Sequence, residues 1–342
     1  MTLLRILVAG DPYIPAAQFA RGLAGMEGEH DIAYLDVDMA RPFTPATTSE
    51  LAIREYAGSP DELAERLDDH EVLVVHGAAV TDRVLDAAPL RLVCCARGGP
   101  VNVDVAAAAE RGITVTTTPG KNARAVVELT LGFLIMLARG VGSSQRALLD
   151  GTRLGESAFE GAEFFGVELP GRTLGLVGYG NVGRGVAQVA GALGMRVLAY
   201  DPALPREAFG DAVEAVTLDE LLTRSEFVSL HARVTPENEN LMDADTFARM
   251  RPGSFFINTA RETLVDEPAL LGAIRSRHLA GAALDVVRPA PVTRRNPLLD
   301  EPRVVITPHI GGATDETIER GVAMVAQEIA RLSAGLAPVH AR

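Results

Sequence analysis

Cysteine is almost absent from this chain: Cys94 and Cys95 are its whole complement. Neighbours on a strand point to opposite faces, so ordinary disulfide geometry between these two is excluded. Such sparing use fits a reducing compartment. Positive charge is also in short supply. Thirty-two basic residues against 45 acidic ones leave a net charge of −13, which disfavours a nucleic-acid or anionic-membrane partner but leaves room for a local basic pocket. Low-complexity tracts are missing. The most apolar helical stretch, Leu129 to Ala138, is too short to span a bilayer. The chain opens directly on a strand-like run, Leu3 to Val8, without the charged, apolar and cleavage regions of a secretory signal. A cytoplasmic protein is expected. The histidines, His76 and His231 among them, have neither metal-ligand spacing nor cysteine company, so no metal is expected.

What is present is an alternation. The length of 342 residues suits about two domains. Strand-like runs at Arg5–Ala9, Ile32–Asp36, Val72–His76, Arg91–Ala96 and Thr114–Thr118 are interleaved with helix-like runs such as Pro60–Asp68 and Val103–Arg111. Strand and helix in alternation make a parallel sheet with right-handed crossovers. A long helix follows, Ala123 to Arg139, with Asn122 placed to cap it and Gly140 to close it. Its apolar positions cover more than one face, as in a core helix or in a connector that also forms a subunit interface.

A second series then reads Thr173–Val177, Arg196–Tyr200, Phe227–His231, Ser254–Asn258, Gly281–Val286 and Val304–Thr307, before a last helix, Asp315 to Ser333. Several of these runs are apolar throughout, as strands covered on both faces should be. The expected fold is α/β, with two domains, each a parallel doubly wound sheet. One is a flavodoxin-like substrate domain and the other a Rossmann domain. Residues 1–118 form the first part of the substrate domain, 119–307 the nucleotide domain, and 308–342 a return helix that completes the substrate domain. Two crossings near 119 and 308 imply a hinge and a cleft between the domains.

The second series opens on a fingerprint. In Thr173 to Gly183, Gly178, Gly180 and Gly183 stand at G-x-G-x-x-G spacing, interleaved with Tyr179, Asn181 and Val182. Three glycines in six residues are common by chance, but here an apolar strand precedes them and a helix-compatible run, Arg184 to Leu193, follows. Gly178 permits the tight turn, Gly180 lets the backbone approach a pyrophosphate, and Gly183 allows close packing of helix on strand. The next strand ends at Asp201, which can bond both ribose hydroxyls and repel a 2′-phosphate. Taken singly, Asp201 is equally a turn residue before Pro202. Together the features point to NAD as the cofactor.

Downstream, the segments Ala123–Thr130, His231–Asn238, Ile257–Glu262, Gly281–Val286 and Thr307–Gly312 accompany that fingerprint in order. With them the chain resembles the D-isomer-specific 2-hydroxyacid dehydrogenase family, most closely its phosphoglycerate dehydrogenase-like branch. The resemblance implies oxidation or reduction at C2 of a small 2-hydroxy or 2-oxo acid. It places the substrate-binding Arg at Arg261 and the acid–base His at His309. A guanidinium can grip carboxylate and carbonyl together, and an imidazole can exchange the proton. Taken without the resemblance, Arg261 reads as a surface ion pair and His309 as a capping or core histidine. The resemblance also puts Thr259 and Asp285 near the nicotinamide and Thr235 and Pro236 at the adenine end, and it counts Ala260 and Gly311 among the cofactor-binding residues. It places the loop of Arg97, Gly98 and Gly99 at the substrate. It implies a homodimer as well. Lys121, near the first crossing, receives no catalytic role.

Three departures matter. The family's Glu that bonds the His falls at Ala290 here. A carboxylate beside an imidazole favours the protonated ring, so reductive turnover is expected to be slow or displaced toward acidic pH. Glu262 stands where the family has Gly, either solvated, paired with Arg261 or substituting for the missing acid. Arg97 and Arg261 together would suit a substrate with a second anionic group, phosphorylated or dicarboxylic. Alternatively, Arg97 pairs with Asp104 or Glu128. The rival to a working dehydrogenase is an NAD-binding regulator or scaffold of the same fold with little catalysis.

Overall fold

The computed structural model describes residues 2–41, 43–151, 164–288, 293 and 295–342. The chain divides into two compact units, Met1–Lys121 with Ala313–Arg342, and Asn122–Gly312. The sequence alone sets these crossings a few residues earlier, near 119 and 308. Elements are numbered along the chain.

Unit 1 is a five-stranded parallel sheet in the order β2-β1-β3-β4-β5. Its strands are β1 (Arg5–Gly10), β2 (Asp31–Asp36), β3 (Val72–Val75), β4 (Leu92–Cys95) and β5 (Thr114–Thr116). Every residue of β3 and β4 is buried, which is why both runs are apolar at each position. Cys95 faces a cluster with Leu7, Leu63 and Val84, and Cys94 faces the opposite one with Leu4, Phe19 and Val325. Both thiols are free, and burial raises them to about 12 for Cys94 and about 11 for Cys95. They are inert core residues rather than nucleophiles.

The sheet is flanked by α1 (Ala16–Leu23), α2 (Thr48–Ala52), α3 (Pro60–Arg66), α4 (Asp82–Leu85), α5 (Val105–Glu110) and the returning α12 (Asp315–Ser333). Thr314 caps α12 by accepting from the Thr317 N–H at 3.2 Å. Val322, Val325 and Ile329 bury its apolar face. Val322 lies so close to Gly22 of α1 that a Cβ there would meet its Cγ1 at 2.4 Å.

Unit 2 holds seven parallel strands in the order β12-β11-β10-β9-β6-β7-β8. They are β6 (Thr173–Val177), β7 (Arg196–Tyr200), β8 (Glu214–Ala215), β9 (Phe227–Leu230), β10 (Ser254–Asn258), β11 (Leu279–Leu284) and β12 (Val304–Ile306). From β6 the chain builds outward to β8, then returns to β9 on the other side. The order therefore reverses between β6 and β9, and ligands of such sheets bind at the carboxyl ends beside that reversal. The helices are α6 (Ala123–Ala138), α7 (Val141–Leu149), α8 (Asn181–Ala192), α9 (Leu218–Arg224), α10 (Ala244–Arg249) and α11 (Glu267–Arg275).

Sequence and structure differ at the edges of elements. β8 has two residues, too few to show a period, and β11 starts at Leu279 and ends two residues before Val286. The Asn122 side chain makes no capping bond to α6. Gly140 does sit beyond the end of α6 in the left-handed region, at φ 61°. On α6, Phe133, Leu134 and Leu137 are core while Ile135 is exposed. Among the described residues no single helix is long and apolar enough to cross a membrane, and no group of His, Cys, Asp and Glu could hold a metal ion.

Candidate active site

The glycine loop of unit 2 divides its three glycines between distinct tasks. Gly178 has φ 99°, and a Cβ there would meet the Ala232 nitrogen at 2.6 Å. At Gly183 a Cβ would strike the Gly178 carbonyl oxygen at 2.3 Å, so this residue lets α8 pack onto the turn. Around Gly180, by contrast, nothing lies within 4 Å of an added Cβ. That open position precedes the first turn of α8, where Asn181 is exposed and Val182 half-buried. Free N–H groups at a helix start, beside a backbone any ligand can approach, make the seat for a pyrophosphate. The chain's residues therefore fit a dinucleotide.

Asp201 braces this loop: its Oδ2 accepts from the Tyr179 N–H at 2.9 Å and its Oδ1 from the Ala203 N–H at 3.1 Å. The Tyr179 ring turns into the core, stacked on Phe209 with centroids 4.9 Å apart, and Arg184 lies over it at 4.6 Å. Only the backbone of Tyr179 thus belongs to the loop. Thr235 and Pro236 are exposed after β9, where the Thr235 N–H donates to Asn238 at 2.8 Å.

Three neighbouring strands carry the rest. Beyond β10, Asn258 turns the chain by accepting from the Ala260 N–H at 2.9 Å and donating to the Arg261 carbonyl at 3.0 Å. Arg261 is exposed, and its Nη1 donates to the Ala260 carbonyl at 2.8 Å. Its carboxylate neighbour Glu262 makes no ion pair with it within 4.0 Å. Beyond β11 stands Asp285, buried to 3% exposure. Its Oδ1 accepts from the Thr307 hydroxyl at 2.6 Å and the Ile310 N–H at 2.8 Å, and its Oδ2 from the Gly311 N–H at 2.7 Å.

These bonds grip the loop after β12 on both sides of His309, whose own N–H donates to the Asp285 carbonyl at 2.9 Å. His309 is exposed and held in the left-handed region at φ 56°, a strained conformation for a residue with a side chain. Gly311 leaves the room this needs, since a Cβ there would sit 2.7 Å from the Asp285 carboxylate. Behind the turn, His231 bonds the Ser229 hydroxyl at 2.9 Å, and Thr259 bonds Thr130 at 3.1 Å. Burial pushes His231 down to about 4, so the ring is neutral. Ala290 lies outside the described residues.

In unit 1, Asp11, His76, Arg97 and Lys121 follow the carboxyl ends of β1, β3, β4 and β5 respectively. Arg97 does not pair with Asp104. Its guanidinium is bound to the Glu55 carboxylate and to the Glu55 carbonyl, the latter at 2.8 Å. Asp104 is occupied as the cap of α5, accepting from Ala107 at 2.9 Å. Gly98 and Gly99 are exposed with no atom near an added Cβ.

The Asp11 carboxylate hydrogen-bonds His76 Nδ1 at 2.9 Å, burial holds the imidazole below its ordinary value, and Tyr13 stacks on the ring at 4.9 Å. The buried side of this group holds Lys121, 7% exposed, whose ammonium finds no hydrogen-bond partner. Burial and the nearby Arg97 push it down to about 8. Sequence reasoning missed Asp11, Glu55 and His76 as members of this group. The available signal was their position just past apolar strand runs or, for Glu55, none at all.

Residues 131–311 match the family model described as D-isomer specific 2-hydroxyacid dehydrogenase, NAD binding domain. The chain belongs to that family. A D-3-phosphoglycerate dehydrogenase of Mycobacterium tuberculosis is 36% identical over 306 residues, covering 88% of this chain and 57% of the relative. A hydroxypyruvate reductase of Thermotoga maritima is 38% identical over 281 residues, covering 81% and 89%. Among solved structures, the TT0316 protein of Thermus thermophilus aligns with TM-score 0.80 and 32% identity over 98% of this chain and 99% of that one. The chain spans little more than half the length of the phosphoglycerate dehydrogenases it matches. Within the family frame, unit 2 is the NAD-binding Rossmann domain, and the two parallel sheets are the family's fold.

Proposed function

We propose that this chain is an NAD-dependent oxidoreductase that moves a hydride between the nicotinamide and C2 of a small 2-hydroxy or 2-oxo acid. The observation that carries the reading is the Asp285 clamp. A buried carboxylate at the end of β11 gives its hydrogen-bonding capacity to presenting one exposed imidazole after β12, while β10 on its other side presents an exposed arginine. A fold that only held nucleotide has no need of a strained His309.

Bound NADH supplies the hydride. Arg261 grips the carboxylate of a 2-oxo acid and draws electron density from its carbonyl, leaving C2 ready to accept hydride. As the hydride arrives, His309 gives its proton to the carbonyl oxygen, and the product is the hydroxy acid with a neutral ring. In oxidation the neutral ring takes the hydroxyl proton back. Asp201 is the group assigned to the ribose hydroxyls, which favours NAD over its 2′-phosphorylated form.

The substrate class is narrowed by unit 1, which we read as the substrate domain with Arg97, Gly98 and Gly99 at the substrate. Its cationic groups suit an acid with a second anionic group, and the phosphoglycerate dehydrogenases among the relatives are named for a phosphorylated one, the hydroxypyruvate reductase for a plain one. Exposed Ile135, Leu148 and Leu149 on α6 and α7 support a homodimer, which sedimentation distinguishes from a single copy. The rival reading, a regulator that binds NAD without catalysis, has only Ala290 in its favour.

The test separates binding from chemistry. Arg261→Gln and His309→Gln should each bind NADH with affinity close to that of the parent by fluorescence titration. Each should lose roughly 10²- to 10⁴-fold in kcat/KM for a 2-oxo acid. Parent-like turnover in either variant would remove that residue from the mechanism.

A further inference from the structure

We propose that residues 339–342 form a strap that fixes the Arg97–Gly99 loop, with Arg342 as a specificity-determining residue for substrates with a second anionic group. The inference rests on the reading of that loop as substrate-binding, and its test is built to tell the two apart.

Strand β5 is the last strand of the unit 1 sheet, and an edge strand exposes a row of unpaired backbone groups. Here the edge is covered by the chain itself. Ala341 bridges Thr116 in antiparallel fashion, the Thr117 N–H donates to the His340 carbonyl at 3.1 Å, and the Arg342 N–H donates to the Val115 carbonyl at 2.9 Å. The segment is also anchored from below. Glu328 of α12 is buried to 2% exposure, and its carboxylate accepts from the backbone N–H of Val339 at 3.1 Å and of His340 at 3.0 Å. The imidazole of His340 adds a third bond, its Nδ1 standing 2.8 Å from the same carboxylate. All the side-chain partners described for Glu328 therefore lie on the strap. Lifting the strap would leave a buried carboxylate without donors, which is unfavourable enough to keep it down.

The consequence lies at Arg342. Its Nε donates to the Thr117 hydroxyl at 3.1 Å and its Nη2 reaches the Gly98 carbonyl at 3.5 Å. The loop needs such a hold, because Gly98 and Gly99 have no side chains to pack, and nothing lies within 4 Å of where a Cβ would stand on either. From the same side the Thr118 N–H donates to the Arg97 carbonyl at 2.8 Å.

Charge makes Arg342 more than a brace. Arg97 is offset by Glu55, whereas among the described residues no side-chain carboxylate pairs with Arg342 within 4.0 Å. An exposed guanidinium with an open face, held at the loop by two oxygens, is suited to a phosphate or a second carboxylate. A plain 2-oxo acid offers it nothing.

The experiment compares kcat/KM for 3-phosphohydroxypyruvate with that for hydroxypyruvate in the full chain. In Arg342→Ala the preference for the phosphorylated acid should fall about tenfold, and Arg342→Lys should recover part of it. An unchanged ratio in both variants would overturn the specificity role. Amide exchange of the substrate-free protein provides the second readout. Thr117 and Arg342, whose N–H groups bond across the strap, should exchange faster in Glu328→Gln and His340→Ala than in the parent, and equal rates would overturn the strap. Silence of the parent on every acid would instead strike the proposed function, and the exchange result would still decide the strap.

Discussion

At the scale of residues, Asp285 explains why His309 can stand in a conformation that side chains avoid. Three donors converge on one buried carboxylate, and each such charged bond contributes about 1.5–3 kcal/mol. Strain of roughly 1–3 kcal/mol at His309 is therefore well within what the clamp offsets. Asp285→Asn keeps the shape but exchanges one acceptor oxygen for a donor. We expect stability to fall by about 1–3 kcal/mol, and kcat to fall about tenfold or more, the cost of a misplaced catalytic group. NADH affinity should change much less. Parent-like kcat in a stably folded Asp285→Asn would mean that His309 needs no clamp.

The same scale shows where sequence reading stopped. Arg261 and His309 could be singled out from the sequence because motifs surround them, and their roles belong to the proposed function. The partner of Arg97 was not, because Glu55 lies 42 residues earlier in a segment with no periodic signal. Asp285 was legible only in part: the resemblance implies nearness to the nicotinamide, while its hydrogen bonds serve the protein's own loop. Glu328 and Arg342 carried no local signal, since their significance comes from strand pairing across the sheet edge.

At the scale of elements, the strand–turn–helix from Thr173 to Ala192 shows how one motif holds two kinds of glycine. Gly183 is demanded by the fold, because a methyl group would collide with a backbone oxygen at 2.3 Å. Gly180 has space around it and is demanded only by a ligand. Gly183→Ala should therefore destabilise the protein by about 1–3 kcal/mol, the range for overpacking a tight contact. Gly180→Ala should melt like the parent, yet bind NADH about tenfold or more weakly. Equal NADH affinity in Gly180→Ala would show that no cofactor approaches this backbone. Elements were the most legible level, because parallel strands covered on both faces must be apolar throughout, and β3 and β4 are. β8 was hidden by its two-residue length, and the capping of α6 by Asn122 failed because residue type alone does not aim a side chain.

At the scale of the whole molecule, a surplus of acidic residues coexists with a cationic group on one sheet. Arg97, Lys121 and Arg342 gather around the carboxyl ends of β4 and β5, against Asp11 and Glu55. Net charge gave no hint of this, since it reports a sum and not a distribution. The division into two units was visible in the two strand series, and the return of α12 to unit 1 in its position after the last strand. The most direct measurement is NADH oxidation by the purified chain against glyoxylate, pyruvate, hydroxypyruvate and 3-phosphohydroxypyruvate, each from acidic to alkaline pH. Turnover that prefers the phosphorylated acid is the result the proposed function expects, with Arg97 and Arg342 selecting the second anion, and Ala290 in place of the family's Glu implies that it is strongest on the acidic side. NADH binding with silence across the panel at every pH would contradict the dehydrogenase reading.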